Sequence, residues 1–325
     1  MLSWRSPPDD DLPAPTAAAS QTWGMDDQHA ESPPILAAVD SSAHGWHVTD
    51  AAGRLADRLA ARLILMHVAR RPGLRRALEQ AAAGRAACAD YHESSALLGR
   101  YGALCPVPCE HRFAEGDPAE EILFAADELG AALVVVGAGR HGLQAALAPD
   151  VCRQVLSRAN SPVLVVPPAA EVSALDRQGP LVCGTDASGA AGEAVEVAGA
   201  LAAGLDADIY CVSITAPHLQ APIVAAAGAV GAVERPDELA ARRRASRAVA
   251  REAADRVPAV IDTHVVAEIG DPVQRLDALA GELDASLIVV GHAHRSALDH
   301  LLRGSISNTL ARSACRAVLV VPQAA

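Results

Sequence analysis

Residues 162–167 read Pro162-Val-Leu-Val-Val-Pro167, and the same run returns as Ala317-Val-Leu-Val-Val-Pro322. Working outward, Leu133-Val-Val-Val-Gly137 returns as Leu287-Ile-Val-Val-Gly291. Glu115-Gly-Asp-Pro118 returns as Ile269-Gly-Asp-Pro272, and Ile35-Leu-Ala-Ala-Val-Asp40 as Leu181-Val-Cys-Gly-Thr-Asp186. Counterparts lie 155, 154, 154 and 146 residues apart, taken in that order. Near-constant offsets over four ordered anchors mean a duplicated domain. The step from 146 to 154 places extra residues of the second copy between its first and third strands, at 215–235.

Each copy alternates short β-branched runs with Ala-rich stretches of helical period. Strands are expected at 35–40, 63–68, 107–113, 132–137 and 162–167. They recur at 181–186, 207–213, 260–267, 286–291 and 316–321. Apolarity that is continuous rather than alternating marks strands buried on both faces, hence a parallel sheet covered by helices. The fold expected is therefore α/β: two doubly wound, five-stranded parallel-sheet domains in tandem, at 34–168 and 180–323, with a linker at 169–179. Asp117 and Asp271 should cap helices whose first turn takes Pro118 and Pro272, where no amide hydrogen is needed. Residues 1–33 hold four prolines before an Ala run and an Asp9-Asp10-Asp11 cluster, without hydrophobic period, and read as a disordered tail.

Composition narrows the function. Aromatics are 2% of 325 residues against 51% hydrophobic, so the cores are built from Ala, Val, Leu and Ile. All 27 basic residues are Arg, which excludes a lysine-bearing phosphate loop and Schiff-base chemistry. A net charge of −12 argues against a nucleic-acid partner, since that affinity is mostly cationic. No apolar run reaches membrane-spanning length and no leader is visible, so no membrane contact is expected and the protein reads as soluble and cytoplasmic. Seven scattered cysteines fit reduced thiols better than a disulfide framework. Cys105-Pro-Val-Pro-Cys109, followed by His111, reads as two packed thiols at a strand entrance.

Taken together and twice over, the Asp-ended first strand, the Gly-Asp-Pro helix start, the Val-Val-Gly loop and the final Val-Leu-Val-Val-Pro strand resemble the universal stress protein family. The resemblance covers about residues 34–167 and 180–323. It implies a Rossmann-like sheet in which the first and fourth strands are neighbours, so that Asp186 and the Gly291 loop flank the switch-point crevice. It also implies that the final strands, otherwise exposed apolar edges, join the two copies within one chain about a pseudo-twofold axis. A homodimer is a further expectation of the same kind.

Members of the family that bind ATP carry Gly-x-x-Gly, nine residues, then Gly-Ser or Gly-Thr. On that resemblance the second copy is an ATP site. Asp186 faces the adenosine and the backbone near Val212 reads the adenine edge. Gly291 and the amides of Gly304 and Ser305 hold ribose and phosphates, and Ser307 offers a hydroxyl. His294 stands where the second glycine belongs, and either reroutes the loop or donates to phosphate. In the first copy Pro149-Asp150 replaces Gly-Ser, which removes an amide and adds a charge. A carboxylate about 4 Å from a phosphate oxygen costs on the order of 4 kcal/mol at an effective dielectric near 20. That site reads as lost.

Plainer readings stand beside these. Gly291 could serve only a tight strand-to-helix turn, and Asp40 and Asp186 could be strand-ending caps. His292, His294 and His300 share one loop, but no Cys or further His completes a zinc set, so no metal is expected. Arg242-Arg243-Arg244 and Arg247 lie among Glu238, Arg251, Glu252 and Asp255 and read as a solvated helix face. With no nucleophile elbow and no paired acids at the crevice, no enzyme activity is expected. Two functions remain: a non-catalytic, ATP-sensing stress-response module, or a nucleotide-free interaction protein of the same fold acting through its surfaces.

Overall fold

The structure, a computed structural model, describes residues 33–70, 88–139, 150–216, 236–293 and 306–323. All but the last residue of the expected tail, and nearly all of the insertion expected at 215–235, lie outside these residues. The first copy runs β1 (Ile35–Ala38), α1 (Ala43–Arg58), β2 (Leu63–Ala69), α2 (Cys88–Leu104), β3 (Cys109–Glu115), α3 (Pro118–Leu129), β4 (Leu133–Gly137), α4 (Val151–Arg158) and β5 (Val163–Val166). The second runs β6 (Leu181–Gly184), α5 (Gly189–Leu205), β7 (Ile209–Thr215), α6 (Pro236–Ala254), β8 (Thr263–Ile269), α7 (Pro272–Glu282), β9 (Leu287–His292), α8 (Ile306–Ser313) and β10 (Ala317–Pro322).

The Gly-Asp-Pro starts form as their chemistry demands. Asp117 accepts from the amides of Ala119 and Glu120, and Asp271 from that of Gln274. Strands β3 and β8 begin later than their apolar runs predict. Pro108 has no amide to give a ladder. Ahead of β8 the Ile261 amide donates to the Pro258 carbonyl (3.0 Å), a turn that leaves Val260 87% exposed.

The ten strands form one sheet in the order β3-β2-β1-β4-β5-β10-β9-β6-β7-β8. Within each copy every pairing is parallel, and β1–β4 and β6–β9 are neighbours, which creates a switch point in each half. The exception is the centre, where β5 and β10 run antiparallel with Leu164 opposite Leu319. Those two residues are counterparts at the 155-residue offset, so the pseudo-twofold axis passes between them. Joining there removes both apolar edges at once, and leaves β3 and β8 as the edges of the sheet. Alternate residues face opposite sides: Ile35 and Ala37 enter one apolar cluster and Leu36 the other, and each cluster continues through both copies.

The linker is built rather than slack. Val172–Asp176 forms a 3-10 turn whose Val172, Ala174 and Leu175 are buried. Arg58 at the end of α1 donates to the carbonyls of Leu175 and Arg177 (3.0 Å each) and to that of Leu205. Its guanidinium thereby fastens the first copy, the linker and the end of α5. Beyond the turn, Arg177 and Arg316 both pair with Glu171 and Asp284 in a closed ring of four charges. The Pro- and Ala-rich composition of this stretch hid that role.

Candidate functional site

Strands deliver their ligands at carboxyl ends, beside the switch point. In the second copy β6 ends at Gly184 and leads through Thr185 and Asp186 to Ser188, which caps α5. The Thr185 amide donates to the Val212 carbonyl (2.8 Å), which binds this turn to β7. Asp186 Oδ1 accepts from the Ser188 amide (3.0 Å), a side-chain turn held with Ala187 at φ 65°. Asp186 therefore is a strand-ending cap. It is also exposed, and its second carboxylate oxygen has no partner among the described residues.

Gly291, near the end of β9, lies against the first turn of α5. A Cβ on it would stand 2.3 Å from the Ala190 carbonyl oxygen and 2.8 Å from the Ala191 nitrogen. The helix backbone would have to shift to admit it, so helix-on-strand packing by itself favours glycine here. Next to it, His292 Nδ1 is 2.9 Å from the hydroxyl of Ser307, which is 3% exposed. The Ser307 hydroxyl thus meets His292 within the protein. Val212 is likewise internal, 1% exposed, with its carbonyl oxygen taken by Thr185.

Asp186 in the turn after β6, Val212 on β7, Gly291 on β9 and Ser307 on α8 are thus placed around one switch point. His294, Gly304 and Ser305 lie outside the described residues, as do His300 and Pro149. Among the described residues no group of three or more His, Cys, Asp or Glu is placed to hold a metal ion.

The first copy repeats the turn and then fills the space above it. Asp40 Oδ1 accepts from the Ser42 amide (3.0 Å) and hydroxyl (2.5 Å), and Val39 N donates to the Met66 carbonyl as Thr185 does to Val212. At the position of Ala190 stands His44, whose ring lies over Gly137 and whose Nε2 is 2.9 Å from the Val166 carbonyl. At the position of Ser213 stands His67, with Nδ1 2.7 Å from the Val39 carbonyl. The Tyr101 hydroxyl lies 3.1 Å from the carbonyls of Asp40 and Ser42, and Trp46 flanks that ring at 6.5 Å. Burial, and then the Asp40 charge, raise the Tyr101 pKa above the ordinary phenol range. His44, His67 and Tyr101 were not singled out by motif. Aligning the copies at the 146-residue offset sets His44 against Ala190 and His67 against Ser213, and was the signal that could have found the histidines.

Asp150 has partners that its sequence does not reveal. Its side chain caps α4 by accepting from the Arg153 amide (3.2 Å), so a carboxylate occupies the helix N-terminus itself. Arg312, from the second copy, pairs with the same carboxylate. Its charge is balanced in place, and the electrostatic penalty expected from the bare sequence is correspondingly smaller. Cys109 Sγ sits 3.7 Å from His111 Nε2 and contacts Cys105, and burial pushes the Cys109 thiol up to about 11. The pair is packed and held protonated.

A model of the universal stress protein family matches residues 32–167 and again 179–322. The chain belongs to the universal stress protein family. Among solved structures, a universal stress protein from Archaeoglobus fulgidus DSM 4304 is 18% identical over 89% of this chain and 96% of its own, with a TM-score of 0.60. A functionally unknown protein from Pseudomonas aeruginosa PAO1 is 17% identical over 89% of this chain and 92% of its own, with a TM-score of 0.52. A universal stress protein from Archaeoglobus fulgidus in complex with dAMP spans 41% of this chain and 96% of its own at 24% identity, with a TM-score of 0.32. No curated protein matches the chain. The first two structures, which span both copies, share the tandem fold. Among the described residues no helix is long and apolar enough to cross a membrane.

Proposed function

We propose that this tandem universal stress protein is a non-catalytic regulatory module of the stress response that binds an adenine nucleotide, ATP, at its C-terminal half. The observation that carries the assignment to that half is the contrast between Ala190 and His44. Where the first copy sets an imidazole over its switch point, bonded to Val166, the second has a methyl group. Asp186, exposed four residues before Ala190, has a carboxylate oxygen available to a ribose hydroxyl or an adenine amine. The sequence Gly304-Ser305 before α8 supplies backbone donors of the kind that hold phosphate at a helix start. His294, in the same loop, would add a donor.

Cytoplasmic action accords with Cys105, Cys109, Cys152, Cys183, Cys211 and Cys315, all free thiols. A nucleotide-free interaction protein is the second reading. It is favoured by the engagement of Ser307 with His292 and of Asp186 Oδ1 with Ser188, since both groups have partners without a ligand.

Titration calorimetry with ATP separates the two. One site per chain is expected, abolished in Gly304→Asp, with turnover no faster than that of nucleotide alone. Two equivalent sites, unchanged binding in Gly304→Asp, or measurable hydrolysis would overturn the proposal. No binding at all would leave the interaction reading.

A further inference from the structure

Two helix faces remain that neither the fold nor the crevice uses. On α6, Arg244, Arg247 and Arg251 are exposed, and none is joined by an ion pair to a described residue. Their steps of three and four residues put them on one stripe of the helix. On α3, Glu120, Phe124 and Asp127 are exposed, Phe124 by 62%, although the chain has only two phenylalanines. Their steps are four and three. Asp127 also accepts from Asn160 Nδ2 at 3.3 Å, which leaves its other oxygen outward, while Glu120 offers its whole carboxylate.

Laid antiparallel, the two stripes are in register: Arg244 against Asp127, Arg247 against Phe124 and Arg251 against Glu120. A guanidinium stacks on an aromatic face and pairs with a carboxylate, so each arginine meets a group it prefers. Antiparallel helices also bring opposite dipole ends together. We propose that the arginine face of α6 docks on the acidic, Phe124-centred face of α3 in a second copy of this chain.

The contact cannot form within one molecule. α3 lies over β2 and β3 on one side of the sheet, and α6 over β7 and β8 on the other. From β2 to β7 is seven strand steps in the sheet, about 34 Å at roughly 4.8 Å per step. Because the two faces lie on opposite sides, the pairing is head-to-tail and does not close with two copies. A net charge of −12 opposes association over distance, so it should be weak and depend on screening. At about 0.15 M salt the repulsion is screened beyond roughly 8 Å while contact pairs persist, and at about 1 M the pairs are screened as well.

Sedimentation of the full chain tests this independently of any nucleotide. At about 0.15 M salt the average mass should rise with concentration above the 33.4 kDa of one chain, and fall back to it at about 1 M. Arg244→Glu/Arg247→Glu/Arg251→Glu should be monomeric, as should Glu120→Arg/Phe124→Ala, with helix content unchanged in both. The first variant keeps its acidic face and the second its basic face, so mixing them should give a complex of two chains and nothing larger. A wild type that stays monomeric at every concentration would overturn the pairing and leave these faces to another protein. So would association that survives in both variants.

Discussion

Above β1 and β6 the two copies begin with the same Asp-Ser turn and then diverge in what they set over it. In the first, His44, His67 and Tyr101 bond the carbonyls of Val166, Val39, Asp40 and Ser42, so the strand ends are closed by the protein's own donors. In the second the counterparts of the two histidines are Ala190 and Ser213, and the nearest approach is backbone on backbone at Gly291. The difference teaches that one fold can close the same switch point in two ways, with side-chain donors in the first copy and with backbone packing around small residues in the second.

The largest effect that tests this contrast comes from adding one methyl group at equivalent glycines. Gly291→Ala would press a Cβ to 2.3 Å from the Ala190 carbonyl oxygen, and a helix turn must move. Gly137→Ala meets the Cδ2 of the His44 ring at 2.8 Å, and a side chain can turn aside. Overpacking of the first kind costs about 3 kcal/mol and of the second about 1 kcal/mol. Urea denaturation of both variants measures it. Equal losses would show that the two frames are alike after all.

The second test concerns the anchor that the first copy lacks. Arg316, 6% exposed, is replaced by Ser161 at the corresponding place in the first copy. Its Nε donates to the Ala285 carbonyl (2.8 Å), and its remaining nitrogens close the charge ring with Glu171 and Asp284. Those two acids are about half exposed and keep water when the arginine is gone. The loss in Arg316→Ser is therefore mainly the bond to the buried carbonyl, about 2 kcal/mol by denaturation. An effect below about 0.5 kcal/mol would remove the ring from the account of what fixes the linker.

Much of this architecture was legible because it rests on patterns that local chemistry enforces. Continuous apolar runs gave the strands, Asp-Pro gave the helix starts, and the repeated Val-Leu-Val-Val gave both the duplication and the edge that needed a partner. What the sequence hid lay between copies or in plain composition. The pairing of Asp150 with Arg312 joins residues 162 apart, and no local rule connects them. The buried Val172–Asp176 turn hides in a stretch that composition marks as spacer. At the crevice, Asp186 and Gly291 were found by motif, yet geometry gives each a packing or capping task first. His44 was missed because a lone histidine after a strand carries no motif, and only its counterpart Ala190 makes it informative.

A third test exchanges that residue. Ala190→His should place an imidazole over the second switch point as His44 does over the first, since α1 carries His44 at the equivalent place in its first turn. ATP affinity should fall about tenfold or more, which corresponds to about 1.4 kcal/mol, as read by calorimetry. Unchanged affinity with an intact melting transition would mean that any ligand enters elsewhere, and the contrast between the mouths would lose its functional meaning.

The smallest effect separates two accounts of the first copy. On charge alone, Asp150 excludes phosphate, and changing Pro149-Asp150 to Gly-Ser could open a second site. The structure offers a different weighting. Asp150 is balanced by Arg312 and seated as the cap of α4, while His44 fills the mouth. Serine caps a helix about as well as aspartate, so Asp150→Ser should lose only a partly exposed ion pair, about 0.5 kcal/mol. A double-mutant cycle with Arg312→Ala should return a coupling of that size, reduced by salt. Nucleotide stoichiometry should stay at one per chain in Asp150→Ser and in Pro149→Gly/Asp150→Ser, and could rise only when His44→Ala is added. A second site appearing without the His44 change would restore the charge account and demote the imidazole to a stabilising contact.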